Sequence, residues 1–397
     1  GVQTCALPIC WVVEPYINSN FESAFYSKPH YVLTLVFHPS KDYLDLTFCW
    51  NLEKIDENAA REITQSFVNN LNGIKHQEKT MAAVSFEEEN ILELWDQMVA
   101  LYPQETAITD YQGNHFTYSA LDQASDDLAQ ELNIKPDECV GVYASYSCVV
   151  PISFLAILKA GGIYVPLDPT VSEDRRAFIV QNSNIQCLVS DLDSDFGGRI
   201  IHPIQQRNPK TFIRPERSAT DACYLIYTSG TTGEPKGCAV NHTNLINLFR
   251  GTQSLFSFSP KDRWILAHSY GFDFSTWEIW GALLNGSHLY IPERSSVQDT
   301  FKFHQLLINQ EITVLNQTPK SFYNLMLVDE DARGLKNIRC VIFGGDKLQT
   351  AHLNQWIENY PKMNLINMYG ITETTVHVTY HKVTPELQSN IGIPLPG

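Results

Sequence analysis

The hydrophobic positions near the start of the chain follow two different spacings. Residues 31–50 contain two β-branched and aromatic runs around Pro-Ser-Lys-Asp, and the second run alternates apolar and polar positions. This alternation predicts two β-strands joined by a turn. Apolar residues then recur every fourth position over 58–74, which predicts a helix. Residues 76–90 are polar, and we interpret them as a linker.

From residue 91 onward, helical and strand patterns alternate. Apolar residues share one helical face over residues 121–132, and we expect Ser119 to cap that helix. Short apolar runs typical of buried strands recur in ECVGVYAS, GIYVPLD, IQCLVSD, CYLIYT, DRWILAHS, HLYIP, ITVLNQT and RCVIFGG. Strands that alternate with helices predict an α/β fold with parallel β-sheets packed by helices.

Composition and charge narrow the class of protein. The 397 residues are 44% apolar, enough to build a large core in more than one domain. The chain has 28 Lys and Arg against 44 Asp and Glu, and its net charge of −16 argues against nucleic-acid binding. It contains no apolar run of about 18 residues, so we expect no membrane span. The nine cysteines form no CxxC pair, which favours reduced thiols in a cytoplasmic protein.

The sequences at both ends of the chain are typical of the interior of a longer protein. The first ten residues, GVQTCALPIC, lack an initiating Met and the basic region of a signal peptide, and they resemble translated sequencing adapter. The last residues, NIGIPLPG, stop without a natural end. We therefore expect an internal piece of a longer protein.

The stretch YLIYTSGTTGEPKG, residues 224–237, combines an apolar strand with a loop rich in Gly, Ser and Thr. Gly230 and Gly233 would let backbone N–H groups turn toward an anion, and Lys236 would add a positive charge. Pro235 stands where a Walker loop has its second glycine, which disfavours that class of nucleotide-binding protein. From the residues alone, a phosphate-binding loop and an ordinary turn both remain open.

The string YTSGTTGEPKG resembles the phosphate loop of the adenylate-forming enzymes, which include acyl-CoA synthetases, luciferases and the adenylation domains of nonribosomal peptide synthetases. LKAGGIYVPLDP, FDFSTWEIW and NMYGITETT resemble further motifs of the adenylation domains, in the family's order. The resemblance implies that residues 91–397 form the large core subdomain of an adenylation domain. It also implies that the chain ends before the small C-terminal subdomain, which carries a catalytic Lys. Residues 11–75 resemble the C-terminal remnant of a condensation domain, without its HHxxxDG signature.

The resemblance implies that the protein activates a carboxylate with ATP and Mg²⁺. The phosphates of ATP would contact Thr228, Ser229, Gly230, Thr231, Thr232, Gly233 and Lys236. Tyr369 would stack on adenine, and Asn367 would hydrogen-bond its edge. Thr372 would reach the α-phosphate, and Glu373 would ligate Mg²⁺ as a hard carboxylate; these two residues and Lys236 would carry catalysis. Without the resemblance, a solvated turn acid and a packed core aromatic would be favoured for Glu373 and Tyr369.

Asp273 decides the class of substrate. An acid among Phe, Trp and Ile is costly to bury unpaired, and the ammonium group of an amino acid would supply its partner. A helix-capping Asp is the alternative. The resemblance implies a side-chain pocket formed, with Asp273, by Phe274, Trp277, Asn316, Ile342, Gly344, Met368, Val376 and His377. This set resembles threonine-activating pockets.

The expected partners follow from the same resemblance. A carrier (thiolation) domain outside this chain would accept the aminoacyl group on its phosphopantetheine thiol, and a condensation domain would belong to the same synthetase. We expect no nucleic-acid or membrane partner. Two alternatives remain: an acyl-CoA ligase, and a catalytically inactive nucleotide-binding or scaffolding piece.

Overall fold

The chain divides into two units. A computed structural model assigns residues 1–85 to one unit and residues 86–397 to the other. The structure describes residues 33–39, 44–50, 90–203, 212–229, 235–329, 334–384 and 390–396.

The first unit contains an antiparallel hairpin. Strand β1 (Leu33–Pro39) pairs along its whole length with β2 (Leu44–Trp50). The two strands predicted from the alternating pattern are therefore present. The predicted helix at 58–74 and nearly all of the linker at 76–90 lie outside the described residues. The interpretation of 11–75 as a condensation-domain remnant stays a prediction.

Two mixed sheets organise the second unit. Its strands are β3 (Thr106–Asp110), β4 (His115–Thr117), β5 (Cys139–Tyr143), β6 (Ile163–Pro166), β7 (Cys187–Ser190), β8 (Arg199–Ile201), β9 (Ala222–Ser229), β10 (Pro235–Asn241), β11 (Arg263–Ile265), β12 (His288–Ile291), β13 (Val314–Gln317), β14 (Cys340–Phe343), β15 (Asn364–Tyr369), β16 (Thr379–Lys382) and β17 (Ile393–Pro394). One sheet has the order β10-β9-β6-β5-β7-β8, and the other β17-β16-β15-β14-β13-β11-β12-β3-β4. The interior pairs are parallel, while β9–β10, β3–β4, β15–β16 and β16–β17 are antiparallel at the edges. The predicted α/β fold with parallel sheets is confirmed.

Helices alternate with these strands along the chain. They are α1 (Ile91–Leu101), α2 (Tyr118–Leu132), α3 (Val149–Lys159), α4 (Glu173–Asn182), α5 (His242–Phe256), α6 (Asp273–Leu283), α7 (Arg294–Gln298), α8 (Thr300–Asn309), α9 (Pro319–Val328) and α10 (Asn354–Asn359). Short 3₁₀ turns lie at Thr350–Leu353 and Thr372–Thr374.

The start of α2 differs from the sequence prediction. Ser119 is predicted as the cap, but the helix begins at Tyr118, and the Thr117 hydroxyl accepts the Ala120 N–H at 3.1 Å. The prediction is wrong by two residues because β4 ends at Thr117, immediately before the helix. The extended backbone of Thr117 lets its hydroxyl reach the first turn.

Two helices consist mostly of apolar residues, and both are buried. Every residue of α3 is buried, and in α6 so is every residue from Phe274 to Leu283. A helix that is hydrophobic all round belongs in the interior. One continuous core joins them to both sheets, through residues such as Val142 and Ile342. The core therefore fixes the start of α6, where Asp273 lies.

The described part of the chain has no helix long and apolar enough to span a bilayer. Its cysteines are free thiols, namely Cys139, Cys148, Cys187, Cys223, Cys238 and Cys340.

Candidate active site

Several of the predicted site residues lie where neighbouring parallel strands end. Asn316 on β13 pairs with Ile342 on β14, and β15 runs through Asn367 to Tyr369. Ligands of open α/β sheets bind outside the carboxyl ends of such strands. This edge of the nine-stranded sheet is therefore the candidate site.

An aromatic pocket, formed by Phe274, Trp277, Asn316, Gly344 and His377, lies at this edge. The His377 ring meets the rings of Phe274 and Trp277 edge to face, each at a centroid distance of 5.3 Å. The Trp277 Nε1–H donates to Asn316 Oδ1 at 3.0 Å. A Cβ atom on Gly344 would lie 3.2 Å from the His377 ring and 3.3 Å from that of Phe274. Glycine thus keeps open the space between these walls.

Three polar atoms of the aromatic pocket have no hydrogen-bond partner among the described residues. They are Asn316 Nδ2 and both ring nitrogens of His377. Burial, with a smaller contribution from the charge of His268, lowers the pKa of His377 from 6.5 to about 3. The ring is therefore neutral at neutral pH and offers one N–H donor and one acceptor. Buried polar atoms left unpaired are costly, so this pocket is suited to a small polar group.

The remaining predicted pocket residues are also buried. Ile342, Met368 and Val376 are all nearly inaccessible to solvent. Val376 and the preceding Thr375 have positive φ angles of 66° and 63°, which β-branched residues rarely adopt. A Cβ on Gly370 would lie 2.1 Å from the Val376 carbonyl oxygen, so the chain packs closely here. This close packing brings His377 to the pocket.

Asp273 is the first residue of α6, and its carboxylate accepts the Thr372 hydroxyl at 2.9 Å. Burial raises the pKa of Asp273; the Thr372 hydroxyl and the Phe274 N–H oppose this effect, and the charge of Glu373 adds to it. Within the described residues, no Lys or Arg forms an ion pair with Asp273. In the part of the chain that the structure describes, the site therefore holds a half-buried carboxylate without a Lys or Arg partner.

A second group of residues, the exposed face, consists of Thr228, Lys236, Tyr369 and Glu373. Thr228 pairs with Lys236 across the β9–β10 hairpin, and the side chains of Lys236 and Glu373 are exposed. Tyr369 is 45% exposed. Burial, then the charges of Glu373 and Asp273, raise the pKa of Cys238 on β10 to about 11. Both carboxylates therefore lie near β10.

Some of the predicted phosphate-binding residues are not described. Gly230, Thr231, Thr232 and Gly233 lie outside the described residues, between β9 and β10. Ser229, the last residue of β9, is exposed.

Comparison with known proteins assigns the family. The family model described as "AMP-binding enzyme" matches residues 95–397. The chain belongs to the AMP-binding enzyme family. It is 41% identical over 321 residues to a plipastatin synthase of Bacillus subtilis (strain 168), covering 77% of this chain and 12% of that protein. It is 36% identical over 329 residues to syringomycin synthase SyrB1 of Pseudomonas syringae pv. syringae, covering 77% of this chain and 52% of that protein.

A solved structure of the same class resembles this AMP-binding enzyme. Holo-PA1221, an NRPS protein containing adenylation and PCP domains bound to a vinylsulfonamide inhibitor, superposes with a TM-score of 0.68 at 29% identity, covering 75% of this chain and 52% of that chain. The predicted assignment to the adenylation domains of nonribosomal peptide synthetases is confirmed. The chain spans about half the length of SyrB1 and of PA1221, and much less of the plipastatin synthase.

The exposed face fits the ATP and Mg²⁺ that an AMP-binding enzyme uses. The described residues contain no cluster of three or more metal-ligating side chains. Mg²⁺ usually takes one or two carboxylates when phosphate oxygens complete its shell, and the exposed Glu373 would supply one. Asn367 is buried, and its Nδ2 donates to the Asn390 carbonyl at 2.6 Å, so only its Oδ1 would be available to accept from an adenine amine.

Sequence reasoning missed two buried acids beside the site. Glu278 accepts hydrogen bonds from His268, and its only sequence signal is an acid within an otherwise apolar helix. Asp168 accepts hydroxyl hydrogen bonds from Tyr146 and Ser269, and from Thr170 at 2.6 Å. Burial, then the charge of Asp168, raises the pKa of Tyr146. Both acids fix the segment that leads into Asp273.

Proposed function

We propose that this protein activates an amino acid as its aminoacyl adenylate, for loading onto a carrier-protein thiol in nonribosomal peptide synthesis. One observation carries the proposal. Asp273 is half-buried, has a pKa raised by burial and lacks a Lys or Arg partner among the described residues. The ammonium group of an amino acid supplies the missing charge, which an acyl-CoA ligase substrate would not.

The reaction joins two anions, so positioning and charge neutralisation matter more than a protein nucleophile. A carboxylate oxygen of the amino acid attacks the α-phosphorus of ATP, and the bond to the bridging oxygen breaks to release pyrophosphate. Thr372 donates its hydroxyl to Asp273 at 2.9 Å, which ties the ammonium site to the turn that would contact the α-phosphate. Glu373 would hold Mg²⁺, which when bound neutralises phosphate charge, and Lys236 would contact the phosphates.

We further propose that L-threonine is the preferred amino acid. Asn316 Nδ2, which has no partner among the described residues, can donate to a side-chain hydroxyl, and the unprotonated nitrogen of neutral His377 can accept a hydrogen bond from that hydroxyl. Trp277 and Met368 limit the volume, while Gly344 leaves room for a small branched side chain. A β-hydroxy side chain satisfies both requirements.

The partners are proposed from the relatives. PA1221 carries adenylation and PCP domains in one protein. For this chain we propose a carrier domain bearing phosphopantetheine as the acceptor, and a condensation domain in the same synthetase.

ATP–pyrophosphate exchange in the full-length protein, with a panel of amino acids and matched carboxylic acids lacking the amine, tests the proposal. Exchange that requires the amino group is expected from the wild type. Asp273→Asn keeps the size of the side chain and should abolish most of that exchange. Exchange that is equally fast with the amine-free acids would instead support an acyl-CoA ligase, and binding of ATP without any exchange would support an inactive nucleotide-binding protein.

A further inference from the structure

A buried carboxylate lies on the helix that begins at Asp273. Glu278 on α6 is fully buried, and both of its oxygens are held by one residue. His268 Nδ1 lies 2.8 Å from Oε1, and the His268 backbone N–H donates to Oε2 at 3.1 Å. A carboxylate oxygen accepts hydrogen bonds, so Nδ1 is assigned as the donor. The His268–Glu278 pair thus joins the segment after β11 to the pocket helix.

The ring of His268 touches the wall of the aromatic pocket. It stacks on Phe274 at a centroid distance of 4.3 Å and an interplanar angle of 26°. Phe274 in turn meets His377 edge to face at 5.3 Å. A continuous series of contacts therefore runs from Glu278 through His268 and Phe274 to the unpartnered nitrogens of His377.

We propose that His268 and Glu278 are positioning residues for amino-acid selection. Glu278 fixes the orientation of the His268 ring, and the ring fixes Phe274 and the start of α6, where Asp273 lies. This inference rests on the proposed function, since it assigns the pair to the side-chain pocket. Neither residue belongs to the predicted set of pocket residues.

The positions of the contacts favour this role over a purely structural one. A carboxylate and a donor that only stabilised the fold could lie anywhere along α6. Here the His268 ring contacts Phe274, and Phe274 also contacts His377. A Cβ on Gly344 would lie within 3.3 Å of the Phe274 and His377 rings. In so closely packed a site a displaced wall changes the fit of the substrate side chain.

Two variants separate the stack from the hydrogen bond. His268→Asn keeps an N–H donor near the position of Nδ1 and removes the stacked ring. His268→Phe combined with Glu278→Gln keeps the stack and replaces the buried charge with an amide whose carbonyl can accept the backbone N–H. His115→Asn is the matched control, because His115 is exposed on β4.

Kinetics of ATP–pyrophosphate exchange in the full-length enzyme provide the test, with melting temperatures to confirm folding. His268→Asn is expected to raise the KM for the preferred amino acid about 10-fold and to lower the ratio of kcat/KM for threonine to kcat/KM for valine. Its kcat and its KM for ATP should stay within about twofold of the wild-type values. The double variant is expected to recover most of this loss but to leave the amino-acid KM about threefold above that of the wild type, because it keeps the stacked ring and loses the side-chain hydrogen bond that orients it. His115→Asn should change none of these values.

The outcomes separate this inference from the proposed function. If the wild type activates amino acids but His268→Asn lowers kcat and weakens the binding of ATP as much as the binding of the amino acid, the pair is structural and only the inference fails. If the double variant is no better than His268→Asn, the stack is not what positions the wall, and the inference also fails. If the wild type activates no amino acid, the proposed function fails first and the inference fails with it.

Discussion

The two halves of the candidate site are built in opposite ways. The aromatic pocket is buried in the core, its rings pack at fixed angles, and its Asn316 and His377 carry unpartnered polar atoms. The exposed face places Lys236 and Glu373 in solvent, beside a loop that lies outside the described residues. We therefore expect selection among substrates to depend on the buried half, where an unpaired polar atom is costly. Under the proposed function the exposed half would supply charge to the reaction, and it should affect the rate without changing the choice of amino acid.

The largest expected effect is the discrimination between substrate side chains by the buried half of the site. Valine is nearly isosteric with threonine but leaves Asn316 and His377 unpaired, and sites built for a hydroxyl reject such analogues by roughly 10⁴-fold. Serine keeps the hydroxyl and loses one methyl, so it should follow threonine by about 10–200-fold. Exchange kinetics with the full-length protein give the order. If valine or a large aromatic amino acid comes first, the assignment of Asn316 and His377 is wrong.

The next effect concerns the carboxylate of Asp273, which accepts the Thr372 hydroxyl. Asp273→Ala should lower kcat/KM for the amino acid by roughly 10²–10³-fold, because removing one partner of a buried ion pair costs about 3–5 kcal/mol. The free protein should not lose stability, since its Asp273 lacks a Lys or Arg partner within the described residues. Steady-state exchange and urea unfolding measure the two quantities. Glu358→Gln, an exposed acid on α10, is the control, and a large stability loss in Asp273→Ala would argue for a structural acid.

Local sequence patterns predicted the fold but not every contact beside the site. The alternation of strand and helix patterns led to the α/β fold, and the aromatic pocket forms from strand ends and a helix start. The His268–Glu278 pair was missed because it links a segment to a helix ten positions later, at neither helical nor strand spacing. The Asn367–Asn390 contact was missed because it spans 23 residues without a local signal.

Backbone geometry explains the other differences. The positive φ angles of Thr375 and Val376 contradict the preferences of β-branched residues, so only tertiary packing against Gly370 reveals them. The cap of α2 shifts from Ser119 to Thr117 because two hydroxyl residues lie near the helix start, and the end of β4 decides between them.

A smaller effect is expected on the exposed face. Glu373→Gln should lower kcat by roughly 10²-fold through the loss of charge that would hold Mg²⁺. The threonine-to-valine ratio should stay as in the wild type, because Glu373 lies outside the aromatic pocket. Its exposure predicts a stability change within about 0.5 kcal/mol. Exchange assays over a range of Mg²⁺ concentrations measure kcat and the amino-acid preference. A changed preference would contradict the expectation that the exposed half affects only the rate.

The smallest effect is on stability and isolates the buried half without substrate. Burial lowers the pKa of His377 from 6.5 to about 3, so between these values the unfolded chain binds more protons than the folded chain. The free energy of unfolding must then rise with pH across that window, and this residue should contribute a loss of about 2 kcal/mol on going from pH 7 to pH 5.

His242 and His288 act in the same direction, with pKa values of about 4, so the wild type alone does not isolate the contribution of His377. Urea unfolding of wild type and His377→Phe at both pH values does, since the two histidines are common to both proteins. The variant should lose about 2 kcal/mol less than the wild type, and His115→Phe, at an exposed position, should match the wild type. Equal losses of unfolding free energy in wild type and His377→Phe would mean that His377 is protonated in the folded protein at pH 5. The pocket would then be more accessible to water and less selective than its geometry implies.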